Sequence, residues 1–352
     1  MNHCANDQGC LRSFFLEPSF VELLTLYQTM LRIRAFENAA ELASQGGVQA
    51  FGQTTSAHAF VRGPLHLSTG QEAIAAGVCA HLGKDDLLTS THRGHGHTLA
   101  KGADLKKMMC ELFGKAAGTN GGKGGSMHIA DFEAGMLGAN GVVGAGITIA
   151  VGAAHALKLQ SKNQIVVCLF GDGAINRGPF LEGLNWAKIF KVPVLFVCED
   201  NRISATTDSA TMTAGSGVQG RAQSLEIPTL KADGNDVIDV SEKAKTLIDK
   251  VRSIREPHLL HAVTYRLKGH VSVDQSLYRS SDELTQAWAN DPLVLAKSML
   301  LERGHSSDEL DQIEKQISKT MEEATQFAKD AAWPKPEYAF ADVADSGAGQ
   351  WY

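Results

Sequence analysis

The stretch IVVCLFGDGAINRGPFLEGLNWAKIFKVPVLFVCEDN, residues 165–201, decides the fold. Its first apolar run, 165–170, is continuous, as in a strand of a parallel sheet that is buried on both faces. A glycine-rich turn at 171–178 follows, and Pro179 suits the first position of a helix. A second apolar run, 194–198, supplies another strand. The stretch therefore predicts a βαβ unit and an α/β fold.

Two polar residues follow these strands directly, Asp172 after the first and Asn201 after the second, 29 residues later. Parallel strands end at the same edge of a sheet, where open α/β sheets bind ligands. On neighbouring strands, the two side chains would lie close together and suit Mg²⁺, which takes one or two protein oxygens beside phosphate oxygens. Gly173 would let a phosphate approach the backbone and the N-terminus of the next helix. On spacing alone, an Asp that caps a turn and an Asn in an ordinary loop remain the alternative.

The rest of the sequence predicts one α/β domain with helical extensions. Apolar spacing indicates helices at 18–45, 71–82, 105–113, 146–160 and 236–254, strands at 86–91 and 259–265, and a mostly helical chain after 282. Gly46-Gly47 would end the first helix. Segments 48–63 and 114–146 lack periodicity, and the glycine-rich second one has the profile of a functional loop.

We therefore expect a mostly parallel sheet flanked by helices. Residues 18–330 would form this single domain, with tails at 1–17 and 331–352. The weakly polar run 142–157 is interrupted by His155 and predicts a buried helix rather than a membrane span.

The composition limits the classes of partner and compartment. The net charge is −6, which gives no reason to expect nucleic acid or an anionic membrane as a partner. The six cysteines include no C-x-x-C pair and no zinc-like spacing, so we expect reduced thiols. The N-terminus carries no secretory apolar region, and we expect a cytoplasmic protein.

Two further motifs allow more than one interpretation. His92, His95 and His97 could be a zinc site, a cluster of loop histidines or part of a loop that faces a cofactor, although no helical i, i+4 pair is present. Residues 215–220 match G-x-G-x-x-G, but no hydrophobic strand precedes them, so a loop is favoured over a dinucleotide site.

The motifs in this chain resemble those of one enzyme family. GDGAINRG with CEDN resembles the signature of thiamine-diphosphate enzymes. Five more segments occur in order: HLSTGQEA (66–73), STHRGHGHTLAKG (90–102), GGKGGSMHI (121–129), LGANGVVGAG (137–146) and TYRLKGH (264–270). Together they resemble the α subunit of the decarboxylating component in pyruvate, branched-chain 2-oxo acid and acetoin dehydrogenase complexes. The resemblance covers about residues 20–340 and implies a thiamine-diphosphate-binding fold.

The resemblance also implies a cofactor site that holds thiamine diphosphate and Mg²⁺. It assigns the metal to the side chains of Asp172 and Asn201 and the carbonyl of Ile203. It assigns the diphosphate to Gly173, Ala174 and Arg93, with His92 beside it and His270 reaching it and the reacting centre from a loop. Gly141 and Val143 would contact the aminopyrimidine ring through their backbone. His270 and His92 are thus the expected catalytic residues.

In this family a β chain supplies the carboxylate that activates the aminopyrimidine, in an assembly of two α and two β chains. The acyl unit passes to a lipoyl group on an acyltransferase. STHRGHGHTLAKG favours acetoin as the substrate, with pyruvate or a branched-chain 2-oxo acid as the alternative. Two other classes of function are a non-catalytic paralogue that binds the cofactor and an enzyme that uses NAD.

The chain departs from the family pattern at several positions. Asp200 stands where many relatives have Asn, and Ile203 replaces a common Tyr. Val271 replaces a serine that is phosphorylated in mitochondrial members. The segment 48–61 is longer than the connection that usually precedes HLSTGQEA in this family, and this length would alter the entrance to the site.

Overall fold

A parallel six-stranded sheet forms the centre of the computed structural model, which describes residues 22–45 and 59–341. Its strands are β1 (Leu87–Thr89), β2 (Met136–Gly138), β3 (Val166–Gly171), β4 (Val194–Asp200), β7 (Thr229–Asp233) and β8 (His258–Val263), while β5 (Ile203–Ser204) and β6 (Thr207–Asp208) form a separate antiparallel pair. The order in the sheet is β2-β1-β3-β4-β8-β7. Since β2 and β3 join β1 on opposite sides, the direction of winding reverses between β1 and β3. Such a reversal opens a crevice at the carboxyl ends of the strands.

The helices cover both faces of this sheet. They are α1 (Leu23–Ala43), α2 (Glu72–Cys79), α3 (His95–Ala100), α4 (Leu105–Leu112), α5 (Ala145–Leu159), α6 (Gly178–Phe190), α7 (Gly217–Ser224), α8 (Val237–Ile254), α9 (Ser281–Ala289), α10 (Pro292–Glu302) and α11 (Ser307–Asp330). Within the described residues, no helix combines the length and apolarity that a membrane crossing requires.

Side chains of the central strands alternate between two hydrophobic cores. On β3, Val167 and Leu169 pack in the core shared with α1, α2 and α8. Val166, Cys168 and Phe170 face the other core, with α5 and α6. Both faces are therefore buried, which explains the unbroken apolar run and confirms the predicted parallel sheet with flanking helices.

The predicted βαβ unit is confirmed, with one correction at the start of its helix. A 3-10 helix, Asp172–Asn176, fills most of the predicted turn, and α6 begins at Gly178. Pro179 therefore occupies the second helical position, not the first. This position still tolerates proline because the first N–H groups of a helix have no partner within it.

Several predicted boundaries were too wide. The helix predicted at 18–45 spans Leu23–Ala43 in the described residues, while residues 18–21 and Gly46-Gly47 lie outside them. The strand predicted at 86–91 is Leu87–Thr89. Asp86 does not extend it because its carboxylate accepts from the backbone N–H of Gly83 and Ile165 and pairs with Arg252. The strand predicted at 259–265 is His258–Val263, which ends beside the last residue of β4.

Several elements were not predicted, among them α3 and β7. The segment HGHTLA forms α3, and TLKAD forms β7. Helix α3 is too short to show a periodic spacing of apolar residues. Strand β7 lies at the edge of the sheet, where a strand needs few apolar residues.

The helix predicted over the run 142–157 is buried on one face only. On α5, Ile147, Val151 and Ala154 are buried, whereas Ile149 and Leu159 are exposed.

The glycine-rich segment 114–146 is irregular over most of its length, as predicted, although β2 and the start of α5 fall within it. The buried carboxylate of Glu111 holds its first part in place. One oxygen accepts from the backbone N–H of Asn120 and Gly122 at 2.7 and 2.9 Å. The other accepts from Gly124 and Gly125 at 2.7 and 3.1 Å. A loop without its own secondary structure thus obtains partners for its N–H groups from one side chain.

Residues 331–341 contact the domain rather than leave it. The backbone N–H of Ala116 donates to Ala332 O at 3.0 Å, and the Lys115 ammonium lies 4.3 Å from the Trp333 ring centroid. The segment ends in a 3-10 helix at Pro336–Phe340. The predicted domain boundary at residue 330 remains a prediction.

We predict that Glu111→Gln lowers the free energy of unfolding by about 2 kcal/mol or more, because an amide NH₂ cannot accept the two N–H groups that face it and leaves them unsatisfied. Urea unfolding measures the change. Glu133→Gln is the matched control, since Glu133 is exposed and its pairing with Lys107 lies at the surface. Equal losses in the two variants would contradict this function of Glu111.

Candidate active site

A cavity of about 280 Å³ opens at the carboxyl edge of the sheet, where the strand order reverses. It is lined by every residue that the sequence assigned to the site: His92, Arg93, Gly141, Val143, Asp172, Gly173, Ala174, Asn201, Ile203 and His270. These residues come from five separate segments of the chain, so their common location is a property of the fold and not of any one motif.

Asp172 carries a buried carboxylate with an unused oxygen. Its Oδ2 is buried and has no hydrogen-bond partner among the described residues. Burial raises the pKa of this carboxyl, and the charge of Asp200 raises it further. A carboxylate in this state is costly unless a cation compensates it, so the position fits a metal ligand.

Asn201 is oriented by a residue that the sequence did not single out. Its Nδ2 donates to Gln71 Oε1 at 3.0 Å, and its Oδ1 accepts from the backbone N–H of Ile203 at 3.1 Å. Because Gln71 binds the NH₂ group, the amide oxygen is left as the possible metal ligand. Gln71 lies in the quoted segment HLSTGQEA, which was the available signal.

Two glycines of the cavity lining lie close to neighbouring side chains. A Cβ at Gly173 would overlap the side chain of Ser204, and one at Gly141 would lie 3.2 Å from the His128 ring. A side chain at either position would therefore press against its neighbour, which favours glycine at both.

Two buried guanidinium groups, those of Arg93 and Arg266, also line the cavity. Arg93 donates to the carbonyl oxygens of Leu67 at 2.9 Å and His270 at 2.8 Å. Burial lowers the pKa of Arg93 to about 9, and the nearby Arg266 charge contributes. Neither arginine forms an ion pair among the described residues. An uncompensated positive pocket of this kind fits a diphosphate.

Comparison with known proteins agrees with this geometry. Residues 51–337 match the family described as "Dehydrogenase E1 component". The chain belongs to the dehydrogenase E1 component family. The resemblance drawn from the motifs is therefore confirmed, and the chain is a subunit of an oxidoreductase.

Individual relatives in this family are similar over most of their length. The subunit alpha of acetoin:2,6-dichlorophenolindophenol oxidoreductase from Bacillus subtilis (strain 168) is 41% identical over 321 residues, which is 91% of this chain and 92% of that protein. The subunit of the same name from Cupriavidus necator is 40% identical over 324 residues, 91% and 93% of the two chains. Pyruvate dehydrogenase E1 component subunit alpha from Zymomonas mobilis is 36% identical over 325 residues, 92% and 88%. The names of all three imply a second type of subunit.

Three histidines meet inside the E1-family cavity. The His66 ring centroid lies 4.6 Å from that of His92 and 4.9 Å from that of His270. Burial, reinforced by the Arg93 charge, lowers the three pKa values to about 2, 3 and 4, respectively. All three rings are therefore neutral near pH 7. His66 was not among the predicted site residues, although it opens the motif HLSTGQEA.

The nearest ligand atoms of these three rings lie within 4.8 Å of one another, a spacing that could hold a metal ion. The charges around them oppose a cation, because Arg93 Nη2 lies 3.0 Å from His270 Nδ1. The charge around the three rings therefore favours an anion over a metal ion.

The zinc hypothesis for His92, His95 and His97 is wrong. His95 and His97 are buried on α3, not in a loop, and each bonds a different carboxylate. His95 Nδ1 lies 2.9 Å from Glu37 Oε2, and His97 Nε2 lies 2.9 Å from Glu199 Oε1. Of the three, only His92 lines the cavity.

The G-x-G-x-x-G segment at 215–220 has no strand before it. A 3-10 helix, Ser209–Met212, precedes it, and α7 begins at Gly217 within it. A dinucleotide fingerprint needs a strand that leads into the loop, so the segment is not one. The favoured loop interpretation holds for its first residues only.

Asp200, the acidic departure from the family pattern, is turned toward a histidine. Its Oδ2 lies 2.7 Å from His261 Nε2, and its Oδ1 accepts from the backbone N–H of Arg202 at 3.0 Å. Although burial opposes it, the hydrogen bond from His261 lowers the pKa of Asp200. The additional charge beside Asn201 thus has a partner of its own.

We predict that the ligand-free protein loses stability as the pH falls from about 6.5 toward 4. The folded-state pKa values of the three cavity histidines lie below the model-peptide value of about 6.5, so the unfolded chain binds more protons in that window. Above pH 6.5 these groups are neutral in both states, so they do not make the stability depend on pH. Thermal unfolding at pH 7.5 and pH 5 measures the difference. His66→Gln should reduce the slope, because it removes one of the three lowered pKa values. A wild-type protein with no loss at pH 5 would refute the prediction.

Proposed function

We propose that this chain is the α subunit of a thiamine-diphosphate-dependent dehydrogenase that cleaves a C–C bond beside a carbonyl. The observation that carries the proposal is the shared cavity at the sheet reversal, which joins an unpaired buried carboxylate to uncompensated guanidinium groups. Membership of the E1 family supports the cofactor assignment.

The residues present fit thiamine diphosphate and magnesium in their proposed positions. Asp172 and Asn201 would bind Mg²⁺ by their side chains, and Ile203 by its carbonyl oxygen. Arg93, Gly173 and Ala174 would hold the diphosphate. The backbone of Gly141 and Val143, which also line the cavity, would receive the aminopyrimidine ring.

When bound, thiamine diphosphate supplies a nucleophilic carbon for a carbonyl and a sink for the electron pair left by C–C cleavage. The protein residues would handle protons and orientation. His92 and His270 are neutral near pH 7 because burial lowers the pKa of each, so their rings can donate or accept a hydrogen bond at a substrate oxygen. Arg93 fixes His270 by bonding both its Nδ1 and its carbonyl oxygen.

Among the described residues, the cavity has no free carboxylate for activating the aminopyrimidine. Asp172 and Glu199 are the acidic residues that line it among the described residues. Asp172 is assigned to the metal, and Glu199 bonds His97. A β subunit would therefore supply the activating group, in an assembly of two α and two β chains.

The substrate that we favour is acetoin, and the acyl unit would pass to the lipoyl group of an acyltransferase. The motif STHRGHGHTLAKG and the relatives from Bacillus subtilis and Cupriavidus necator support acetoin. Pyruvate or a branched-chain 2-oxo acid is the alternative, and the Zymomonas mobilis relative supports pyruvate. The assembled site, with Asp172, Asn201 and His270 together, argues against a non-catalytic paralogue. Unpaired buried cysteines at 79, 110, 168 and 198 support a cytoplasmic location.

We predict that Asp172→Asn lowers magnesium-dependent thiamine-diphosphate affinity at least tenfold, because it removes the charged metal ligand. The melting temperature of the ligand-free variant should be equal or higher, since burial of the unpaired carboxylate is unfavourable in the wild type. Calorimetry and thermal unfolding provide the two readouts. Asp85→Asn, at an exposed position, should change neither. Unchanged cofactor affinity in Asp172→Asn would refute the metal assignment.

We further predict that the chain alone cleaves neither acetoin nor 2-oxo acids and that adding its β subunit restores cleavage. The assay contains thiamine diphosphate, Mg²⁺ and an artificial electron acceptor, with a panel of acetoin, pyruvate and branched-chain 2-oxo acids. The highest kcat/KM in the panel identifies the substrate. Turnover by the chain alone at the rate of the mixture, with absence of β confirmed by mass spectrometry, would contradict the two-chain site.

A further inference from the structure

Asparagine is followed by glycine at two places in the chain, Asn120-Gly121 and Asn140-Gly141, both within the glycine-rich segment 114–146. Such a pair is chemically labile, because glycine has no Cβ to hinder its backbone nitrogen when that nitrogen attacks the asparagine side chain. Of the two pairs, Asn140-Gly141 lines the cavity. The hydrogen bonds around the two pairs differ, and they decide which asparagine is free to react.

Asn120 is held at both ends of its amide group. Its Oδ1 accepts from the backbone N–H of Ala130 at 2.8 Å, and its Nδ2 donates to His128 O at 3.1 Å. The attacking group is also engaged, because the backbone N–H of Gly121 donates to Gly118 O at 3.0 Å. Attack of the Gly121 nitrogen on Asn120 would break all three bonds, so the fold protects this pair.

Asn140 is bound at its oxygen alone. Its Oδ1 accepts from the backbone N–H of Val142 at 2.8 Å, which closes the side chain over the Gly141 peptide and brings Cγ beside the Gly141 nitrogen. Among the described residues, nothing accepts a hydrogen bond from Asn140 Nδ2 or from the backbone N–H of Gly141. Both residues lie between β2 and α5, outside any helix or strand. The attacking nitrogen and the leaving group are thus both free.

We propose that Asn140 is a site of spontaneous deamidation and that a ligand in the cavity protects it. The Gly141 nitrogen bonds to Asn140 Cγ as the Cγ–Nδ2 bond breaks, and the side-chain amide leaves as ammonia with the proton of the Gly141 N–H. Water then opens the resulting succinimide at either of its two carbonyls, which gives aspartate or isoaspartate. Ring closure needs a rotation of the backbone at Asn140, which a ligand packed against Gly141 would oppose.

Both products change the wall of the cavity. Aspartate adds a negative charge where the proposed ligand is an anion, and isoaspartate inserts a CH₂ group into the main chain before Gly141. The second change displaces the backbone that we assign to the aminopyrimidine ring, so cofactor binding should be lost. This consequence rests on the proposed function, whereas the reaction itself requires only the geometry of Asn140 and Gly141.

The experiment follows both asparagines in one digest of the full chain. The wild type is incubated at pH 8 without ligand, with saturating thiamine diphosphate and Mg²⁺, and unfolded in urea. Peptide mass spectrometry measures the mass gain from replacement of NH₂ by OH at Asn140 and at Asn120. In the folded ligand-free chain, we expect Asn140 to deamidate at least tenfold faster than Asn120. The cofactor should slow Asn140 at least fivefold, and urea should bring the two rates together because it removes the bonds that distinguish the pairs.

Asn140→Gln tests the consequence for cofactor binding. Glutamine keeps the amide group, but its longer side chain would have to close a larger ring, which forms far more slowly. Calorimetry with thiamine diphosphate and Mg²⁺ compares incubated and fresh samples of each protein. We expect the fraction of wild-type chain that binds the cofactor to fall as Asn140 is modified, while the binding fraction of Asn140→Gln stays at the level of its own fresh sample.

The possible outcomes separate this inference from the proposed function. Equal rates at the two asparagines in the folded ligand-free chain would overturn the inference, as would an Asn140 rate that bound cofactor does not change. Full cofactor binding by the modified wild type would overturn the consequence for the cavity. A fresh wild-type chain that binds no thiamine diphosphate, even beside its β subunit, would count against the proposed function, and the ligand-free rates would still decide the reaction at Asn140.

Discussion

The parallel pairing of β3 with β4 is the constraint on which the site depends. It places Gly171 opposite Glu199, so that Asp172 and Asn201 follow at the same edge of the sheet. The reversal of strand order beside β3 then leaves that edge uncovered, and the cavity occupies the opening. A shift of one residue in this register would turn the side chains that follow it to the other face. Apart from the buried Glu199, the two strands are apolar along their buried length, and that packing fixes the register.

Buried carboxylates hold the irregular segments around the cavity. Glu37 accepts from Ser68 and bonds His95, which in turn bonds Ser126 in the glycine-rich segment. Glu199 bonds His97, and Glu111 accepts from the loop backbone. Each network joins segments that are distant in sequence, and each would leave buried polar groups unsatisfied if one member were lost. The cavity walls are thus rigid although much of their backbone is neither helix nor strand.

The parts of this structure that depend on local pattern could be predicted from the sequence. The apolar runs of β3 and β4 and the polar residues that follow them led to the sheet, its edge and the positions of Asp172, Gly173 and Asn201. The other predicted residues of the cavity came from the resemblance to the family. Contacts between distant segments could not be predicted in this way. The function of Gln71 depends on its hydrogen bond with Asn201, which lies 130 residues away. The function of Glu111 depends on backbone N–H groups of the glycine-rich segment, which no sequence pattern reveals. The histidines of α3 were misinterpreted because their carboxylate partners lie on α1 and β4.

The unpaired oxygen of Asp172 and the guanidinium of Arg93, which has no ion pair, make the ligand-free protein less stable than the ligand-bound protein. A ligand that neutralises both groups stabilises the fold by mass action, and each tenfold rise in its concentration above Kd adds about 1.4 kcal/mol. Native proteins have only about 5–15 kcal/mol of stability in total, so this contribution changes how often the chain unfolds and meets a protease. The cellular lifetime of the chain should therefore follow the supply of its cofactor, and a vitamin shortage would deplete the enzyme itself as well as its activity.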